Sequence, residues 1–388
     1  GKGISPIFLG QIHPDAYGFN VPFSEELPQV LRAQKSRKEQ IVRTRRVSLP
    51  VLHAIDHEFF DLPEVVGSPN IAIIFFDSAN LSKRVLRSAE SRFDAVIVGS
   101  SWNSQIVRER GLRTIPVHTI IQGVDTSMFY PRSRTQEPPD WLQGRYVIFS
   151  GGKFELRKAQ DIVVGGFRRF KEKHPQLRPI LLFSWHNPWP FRWHESGVHT
   201  NGKPQMGPNG KYEFSAWLSE NGVSSADAQD LGHLPQVELA EIFRNWVDVA
   251  VFPNRCEGGT NLVAMEAMAT GVPSILSQNT GHLDLIHAAC PGKQYTTQVE
   301  DASKIPGCLP LSVQRRLVAS QHSDEGDNPY NGWGESDPDE IVRHLEIFSS
   351  NRRWAQRVGQ RGAQVIRSQM TWSHYRSGLR EVLLNKRN

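Results

Sequence analysis

Short apolar runs of four to six residues recur along the chain, separated by longer stretches whose apolar positions return every three or four residues. Such runs read as strands buried on both faces, and the longer stretches as amphipathic helices. In the first part, strands are predicted at 6–10, 49–54, 71–76, 95–98 and 117–121, with a helix over about 24–40 after the turn Gly10-Gln-Ile-His-Pro-Asp-Ala-Tyr-Gly18. Arg108-Glu-Arg-Gly111 reads as a helix end with its terminal glycine. In the second part, strands are predicted at 146–150, 179–184, 247–252 and 274–276, and helices over about 160–173, 234–245 and 262–269. Gly151-Gly152 reads as the turn after the first of these strands, and Gly271 and Pro273 stop the last helix. Strict alternation of strand and helix predicts an α/β fold with parallel sheets.

The stretch 123–140 is turn-rich and holds Pro131, Pro138 and Pro139, which predicts a linker between two domains. At 388 residues and 38% hydrophobic content, the chain can bury two cores. Its formal net charge of +5 suits an anionic ligand or surface and is too weak to argue for nucleic acid. Cys256, Cys290 and Cys308 have no metal-type spacing and fit a reducing compartment. No apolar run is long enough to span a membrane, and the first residues lack a leader pattern, so a cytoplasmic location is expected. His186, His194 and His199 lie in an irregular segment, 186–212, without metal-ligand spacing; it reads as a surface insertion, with a lid or acceptor loop as the alternative. The polar stretch 322–333 reads as a solvated loop.

The sharpest candidate chemistry lies in Arg255-Cys-Glu-Gly-Gly-Thr-Asn-Leu-Val-Ala-Met-Glu266. A buried strand, a glycine turn and a helix N-terminus follow one another there, so unpaired backbone N–H groups and the positive helix end meet at an anion site. Glu257 and Glu266 bracket it, which suits a ligand with both phosphate and hydroxyls. Arg157 and Lys158 follow the Gly-Gly turn, where positive charge at a helix start is uncomfortable unless an anion is held. Asp337-Pro-Asp339 resembles a metal-binding acid pair, but Pro338 at a first helical position and Asp337 as its cap read as structure.

Four segments together carry a family resemblance: Phe93-Asp-Ala-Val-Ile-Val-Gly-Ser-Ser-Trp-Asn103, Gly123-Val-Asp-Thr-Ser-Met-Phe-Tyr-Pro131, Ser150-Gly-Gly-Lys-Phe-Glu-Leu-Arg-Lys-Ala-Gln-Asp161, and the Glu-Gly-Gly block that runs on to Pro273. In this order the chain resembles the retaining GT-B glycosyltransferases of family 4, the glycosyl transferases group 1. The resemblance implies two Rossmann-like domains facing each other across a cleft. Residues 1–131 would form the acceptor domain, with a last helix at 371–388 packing back on it. Residues 132–370 would bind a nucleotide sugar, used as co-substrate with no further cofactor and no metal. It implies catalytic roles for Asp77, Glu257, Arg157 and Lys158. Glu266 would hold the ribose, Glu257 would face the donor sugar, and the backbone around Gly259, Thr260, Asn261 and Leu262 would bind the diphosphate. Gly18 and Gly152 would complete the donor-binding set.

Two departures stand out. Eight residues separate Glu257 from Glu266 where the family has seven, so either the glycine turn absorbs one or Gly258 takes the acid's place. Asp77 stands where many relatives have a histidine; it would orient a substrate or cap the helix starting near Leu81. Asp56 and His57 are weaker candidates at the preceding strand end. The acceptor would be a glycan, a lipid-linked hydroxyl or another hydroxyl. Residues 32–46 hold seven Lys or Arg and one Glu, which offers a peripheral contact to the inner membrane face, or simply a solvated helix and loop. Rival readings are another enzyme on the same fold, such as a nucleotide-sugar epimerase or a phosphorylase, and a non-catalytic nucleotide-sugar-binding module.

Overall fold

The computed structural model describes residues 29, 32, 34–55, 65–131, 134–186, 199–208, 210–290, 304–317 and 328–384. The strand expected at 6–10, Gly18, Asp56, His57 and His194 lie outside these residues.

The first unit contains α1 (Lys35–Thr44), β1 (Val51–Ile55), β2 (Asn70–Ile74), α2 (Lys83–Arg92), β3 (Ala95–Val98), α3 (Ser101–Glu109) and β4 (Val117–Thr119). Its described strands pair in parallel in the order β1-β2-β3-β4. Every residue of β3 is buried, as expected of a strand covered on both faces. Serines start the two helices after β2 and β3: Ser82 Oγ accepts from Val85 N and Ser100 Oγ from Asn103 N. Leu86, Ala89, Ile106 and Val107 then pack on Ile74, Val96 and Val98.

The second unit runs through β5 (Val147–Lys153), α4 (Gln160–Lys173), β6 (Ile180–His186), the hairpin β7 (Gln205–Met206) and β8 (Tyr212–Glu213), α5 (Ser215–Glu220), β9 (Ala228–Asp230), α6 (Gln236–Asn245), β10 (Val249–Phe252), α7 (Leu262–Ala269), β11 (Ser274–Ser277), α8 (His282–Ala289) and β12 (Leu309–Leu311). A second hairpin, β13 (Gln314–Arg316) and β14 (Gly334–Ser336), precedes α9 (Pro338–Ser350), α10 (Arg352–Gln369) and α11 (Trp372–Leu384). Six strands form a parallel sheet in the order β12-β11-β10-β5-β6-β9. From β5 the chain winds outward one way through β6 and β9, then returns to β10 and winds outward the other way. The order therefore reverses between β5 and β10, and the crevice of a doubly wound sheet opens at the carboxyl ends of those two strands. Alternate strand residues feed two cores: Ile148, Phe183 and Val251 meet Phe167 and Leu345 on one face, while Phe149 and Phe252 meet Phe243, Met265 and Met268 on the other.

One expectation is corrected here. Gly151 and Gly152 are not a turn; they extend β5 and pair with Ser184 and Trp185 of β6. The strand thus carries its main chain further into the crevice than its apolar run suggests.

The chain crosses between the units twice, and the crossings touch. Val124 bridges to Thr371, and its N–H donates to Met370 O at 3.0 Å. Val124 and Phe129 sit in the core of the second unit. After the return crossing, α11 lays Tyr375, Leu379, Val382 and Leu383 on the free face of the first sheet, against Ile71, Ala95, Ile97 and Ile120. Among the described residues no helix is long and apolar enough to cross a membrane.

Gly123 is the point of closest approach: a Cβ there would stand 2.1 Å from Trp372 N and 2.2 Å from Thr371 C. Both neighbours are backbone, so the crossings would have to separate. Gly123→Ala is expected to destabilise by roughly 1–3 kcal/mol, the usual cost of overpacking, and to lower the calorimetric melting temperature. An unchanged melt would show that the two crossings do not touch in solution.

Candidate functional site

At the carboxyl end of β5 the chain makes a three-residue 3-10 turn, Leu156–Lys158, and enters α4 through Ala159, whose φ of 58° is left-handed. Arg157 and Lys158 therefore sit in the turn before α4 rather than in its first coil. A fully buried guanidinium holds this turn in place. Arg255 NH1 and NH2 grip Asp161 Oδ1 and Oδ2 at 2.8 and 2.7 Å, NH1 also donates to Leu156 O at 3.0 Å, and Nε donates to Glu335 Oε2 at 3.0 Å. The main chain joins in, with the N–H groups of Arg255 and Cys256 donating to Arg157 O at 2.8 and 3.2 Å. Arg255 thereby ties together the loop after β5, the start of α4, the loop after β10 and β14.

On this frame the predicted site residues converge. Lys158 Nζ and Asn254 Nδ2 both make short hydrogen bonds to Glu257 Oε1. Arg157 NH1 lies 3.4 Å from Glu257 Oε2, and Arg157 Nε lies 2.7 Å from Glu155 Oε2. Burial would push the Glu257 carboxyl up, but the Lys158 and Arg157 charges outweigh it and hold it at about 2. Burial lowers the Lys158 ammonium, and the Glu257 charge only partly offsets this. Asp77 reaches the cluster from the other unit, its Oδ2 3.4 Å from Arg157 Nε. It does not cap the following helix, since Ser82 does. Its main-chain carbonyl accepts from Cys256 Sγ at 3.2 Å and from Trp333 Nε1.

The glycine turn closes the crevice from the second unit. Glu257 N donates to Thr280 Oγ1 at 2.8 Å, and Ser100 Oγ of the first unit donates to Gly258 O at 2.7 Å. Glu257 aims its carboxylate at Lys158. Asn261 caps α7, its Oδ1 accepting from Ala264 N at 3.4 Å, with Leu262 the first helical residue. Thr260 Oγ1 and Asn261 Nδ2 are buried and have no hydrogen-bond partner among the described residues. Gly152, next to last in β5, lies beside the aliphatic stem of Lys158. One turn into α7, Glu266 is buried and receives a hydrogen bond from Gln236 Nε2 at 3.3 Å. With no cation beside it, burial raises its carboxyl to about 8.

The acid pair Asp337 and Asp339 stands apart. Asp337 Oδ1 caps α9 by accepting from Asp339 N at 2.9 Å, and Asp339 pairs with Arg169 at 2.6 Å. Among the described residues no three His, Cys, Asp or Glu side chains gather as a metal site. Arg255, Asn254, Thr280, Gln236 and His282 are parts of the crevice that sequence reasoning missed. Asp161, within a motif already singled out, was the available hint that a buried cation had to face it.

No family model matches the chain. A D-inositol 3-phosphate glycosyltransferase of Thermobifida fusca is 27% identical over 188 residues, which are 46% of this chain and 38% of that protein. A mannosylfructose-phosphate synthase of Agrobacterium fabrum is 23% identical over 184 residues, 45% of this chain and 36% of that one. The chain thus spans well under half the length of these two relatives. Among solved structures, Anabaena HepE in complex with UDP and glucose shares the fold with a TM-score of 0.56 at 12% identity, over 82% of this chain and 72% of that one. The chain thus has the two-unit GT-B fold and, over somewhat under half of its length, is similar in sequence to a D-inositol 3-phosphate glycosyltransferase and a mannosylfructose-phosphate synthase.

Proposed function

We propose that the chain transfers a sugar from a nucleotide diphosphate sugar to a hydroxyl of a glycan or lipid-linked acceptor, with retention at the anomeric carbon and without a metal ion. The observation that carries this reading is the packing of Arg157, Lys158 and Glu257 into one buried cluster at the switch point of the sheet, beside the N-terminus of α7. In the reaction, the bond from the anomeric carbon to the diphosphate oxygen breaks with its electron pair staying on the oxygen. Negative charge grows there, and preorganised cations and N–H donors in a dry site stabilise it most. Arg157 and Lys158 supply the cations, and the first turn of α7 supplies N–H groups. The acceptor oxygen bonds to the same face of the sugar, and its proton passes to the departing phosphate oxygen. No protein nucleophile is then required, in contrast to the paired carboxylates of a glycosidase.

The remaining assignments follow from chemistry. Glu257, ionised and held by Lys158 and Asn254, accepts from donor-sugar hydroxyls. Glu266 accepts from the ribose diol, and Asp77 orients substrate from the opposite wall. Carboxylates pair with both cations, and the diphosphate takes the place of Asp77 and Glu155 on Arg157. Helix α1 buries none of its residues and carries Lys35, Arg37, Lys38 and Arg43, which suits contact with an anionic membrane surface.

Nucleoside diphosphate present at about 100 times its Kd should stabilise the fold by roughly 2.7 kcal/mol. Arg157→Ala with Lys158→Ala, combined with Glu257→Gln so that no charge is left buried and unpaired, is expected to abolish this thermal shift. Retention of the full shift would remove the cluster from the diphosphate site. Turnover is read by product analysis with acceptor present; binding without any turnover would favour a non-catalytic module.

Glu266 gives a pH test. Its folded value of about 8 lies above the ordinary 4.5, so between those values the folded chain keeps a proton that the unfolded chain has lost. Its contribution to stability therefore falls as pH climbs through that window, by an amount on the order of several kcal/mol. Glu266→Gln is expected to melt progressively higher than wild type as pH rises from 5.5 to 9. A ribose diol needs the carboxylate, so over the same range wild-type affinity for a nucleoside diphosphate should rise more steeply than the variant's, which keeps only the pH dependence of the nucleotide's phosphate and the other site groups. Parallel melting curves, or equal pH dependence of binding, would refute the ribose role.

A further inference from the structure

His282, the first residue of α8, is fully buried and was not among the residues expected to act. Hydrogen-bond accounting fixes its state. Ser277 Oγ donates its single proton to Asn254 O at 2.6 Å, and a carbonyl offers nothing in return. The contact between Ser277 Oγ and His282 Nδ1 at 2.9 Å must then run the other way, from Nδ1–H to Oγ. Burial lowers the imidazole to about 4, against the opposing pull of Glu257, so the ring is neutral at ordinary pH. A neutral ring protonated at Nδ1 presents Nε2 as a bare lone pair. That atom is buried and has no hydrogen-bond partner among the described residues. A buried acceptor left unmatched is costly and needs a reason.

The surroundings say where the ring stands. Its charge state couples to Glu257 and Lys158, the centre of the ion cluster. Gly281 lies against the donor-side turn: its N–H donates to Glu257 O at 3.0 Å, and a Cβ at this position would fall 1.7 Å from Gly259 O. Thr280, just before it, holds a φ of 40°, unusual for a β-branched residue. Two hydrogen bonds fix it there, from Glu257 N at 2.8 Å and to Asn279 Oδ1 at 3.0 Å. The turn 279–282 is thus held in a strained form against the Gly258-Gly259 turn, with the ring within electrostatic reach of Glu257. Two further unmatched polar atoms, Thr260 Oγ1 and Asn261 Nδ2, flank the same Gly259.

A lone pair repels phosphate oxygens and can be matched only by a donor such as a hydroxyl. We propose that His282 is a sugar-specificity residue whose Nε2 accepts a hydrogen bond from a hydroxyl of the transferred sugar, next to Glu257. This rests on reading the crevice as a nucleotide-sugar site. It assigns His282 no contact with the nucleotide or its diphosphate.

The test is calorimetric titration of wild type, His282→Phe and His282→Gln with uridine, guanosine and adenosine diphosphates and with their glucose and mannose esters. For the nucleotide that wild type binds, His282→Phe is expected to keep the diphosphate affinity and to weaken the sugar ester about tenfold, the loss of one hydrogen bond. His282→Gln, whose amide oxygen is an acceptor, should recover much of the loss. Unchanged diphosphate binding also reports that the variants fold. An equal loss for diphosphate and sugar ester, or no loss for either, overturns the role of His282 while leaving the nucleotide site standing. Failure of wild type to bind any member of the panel overturns both. Nitrogen NMR of the free protein gives an independent reading: Nε2 should be unprotonated from pH 6 to 8, and a protonated Nε2 refutes the assignment.

Discussion

The crevice depends on one buried fork, Arg255 on Asp161. Neither group would be inside the protein alone, because an unpaired buried ion costs several kcal/mol. Together they occupy their lone pairs and protons: both terminal guanidinium nitrogens meet the Asp161 carboxylate, Nε meets Glu335, and a remaining proton meets Leu156 O. Replacing such a pair by apolar residues is often neutral for stability, so stability is a weak explanation for it. Its geometric effect is stronger. The fork fixes the distance between the loop after β5 and the loop after β10, the two walls of the switch-point crevice. Arg157 and Lys158 come from the first wall and Glu257 from the second, so their meeting follows from the Arg255 frame.

His199 extends this frame. Its Nε2 lies 2.9 Å from Glu335 Oε1, and its N–H lies 3.4 Å from Asp161 Oδ2. Both carboxylates that receive Arg255 therefore also touch a histidine of the 186–212 segment. The histidine read in the sequence as part of an unassigned insertion is, in the fold, a brace on the buried fork.

The fold was largely legible because a doubly wound sheet writes itself locally. Runs such as Ala95–Val98 and Val249–Phe252 are apolar throughout since both faces are covered, and α7 starts at its Asn261 cap and stops just before Gly271. The misreading of Gly151-Gly152 has a physical source: whether two glycines turn or continue a strand depends on pairing with β6, which lies far along the chain. Strands β9 and β12, three residues each, are too short for any periodicity. Within the site, Glu257 was visible beside its glycine turn, and Arg157 and Lys158 as cations just before a helix start. Arg255 was not, because its partners Asp161 and Glu335 are 94 and 80 residues away and a lone arginine in a loop looks solvated. The neutral state of His282 and the raised value of Glu266 are consequences of burial, which no local pattern records.

The contacts across the cleft have a common character. Asp77 reaches Arg157, Cys256 and Trp333 reach the Asp77 carbonyl, Ser100 reaches Gly258 O, and Asp284 Oδ2 accepts from Ser101 N at 2.8 Å. All are polar, and water satisfies the same groups when the units part, so each adds only about 1 kcal/mol net. The Asp77 side chain is half exposed, and ion pairs of that kind contribute little. An interface built this way favours closure weakly and leaves the balance to whatever binds between the units, which shifts it by its differential affinity for the two states. The Arg255 fork within the second unit has the opposite character, since the guanidinium is fully buried and water cannot replace its partners without opening the crevice. The second unit therefore holds an electrostatic cluster set by the sheet and the Arg255 fork, and the first unit meets it through contacts that water can replace. A diphosphate that displaces Asp77 from Arg157 would couple the two.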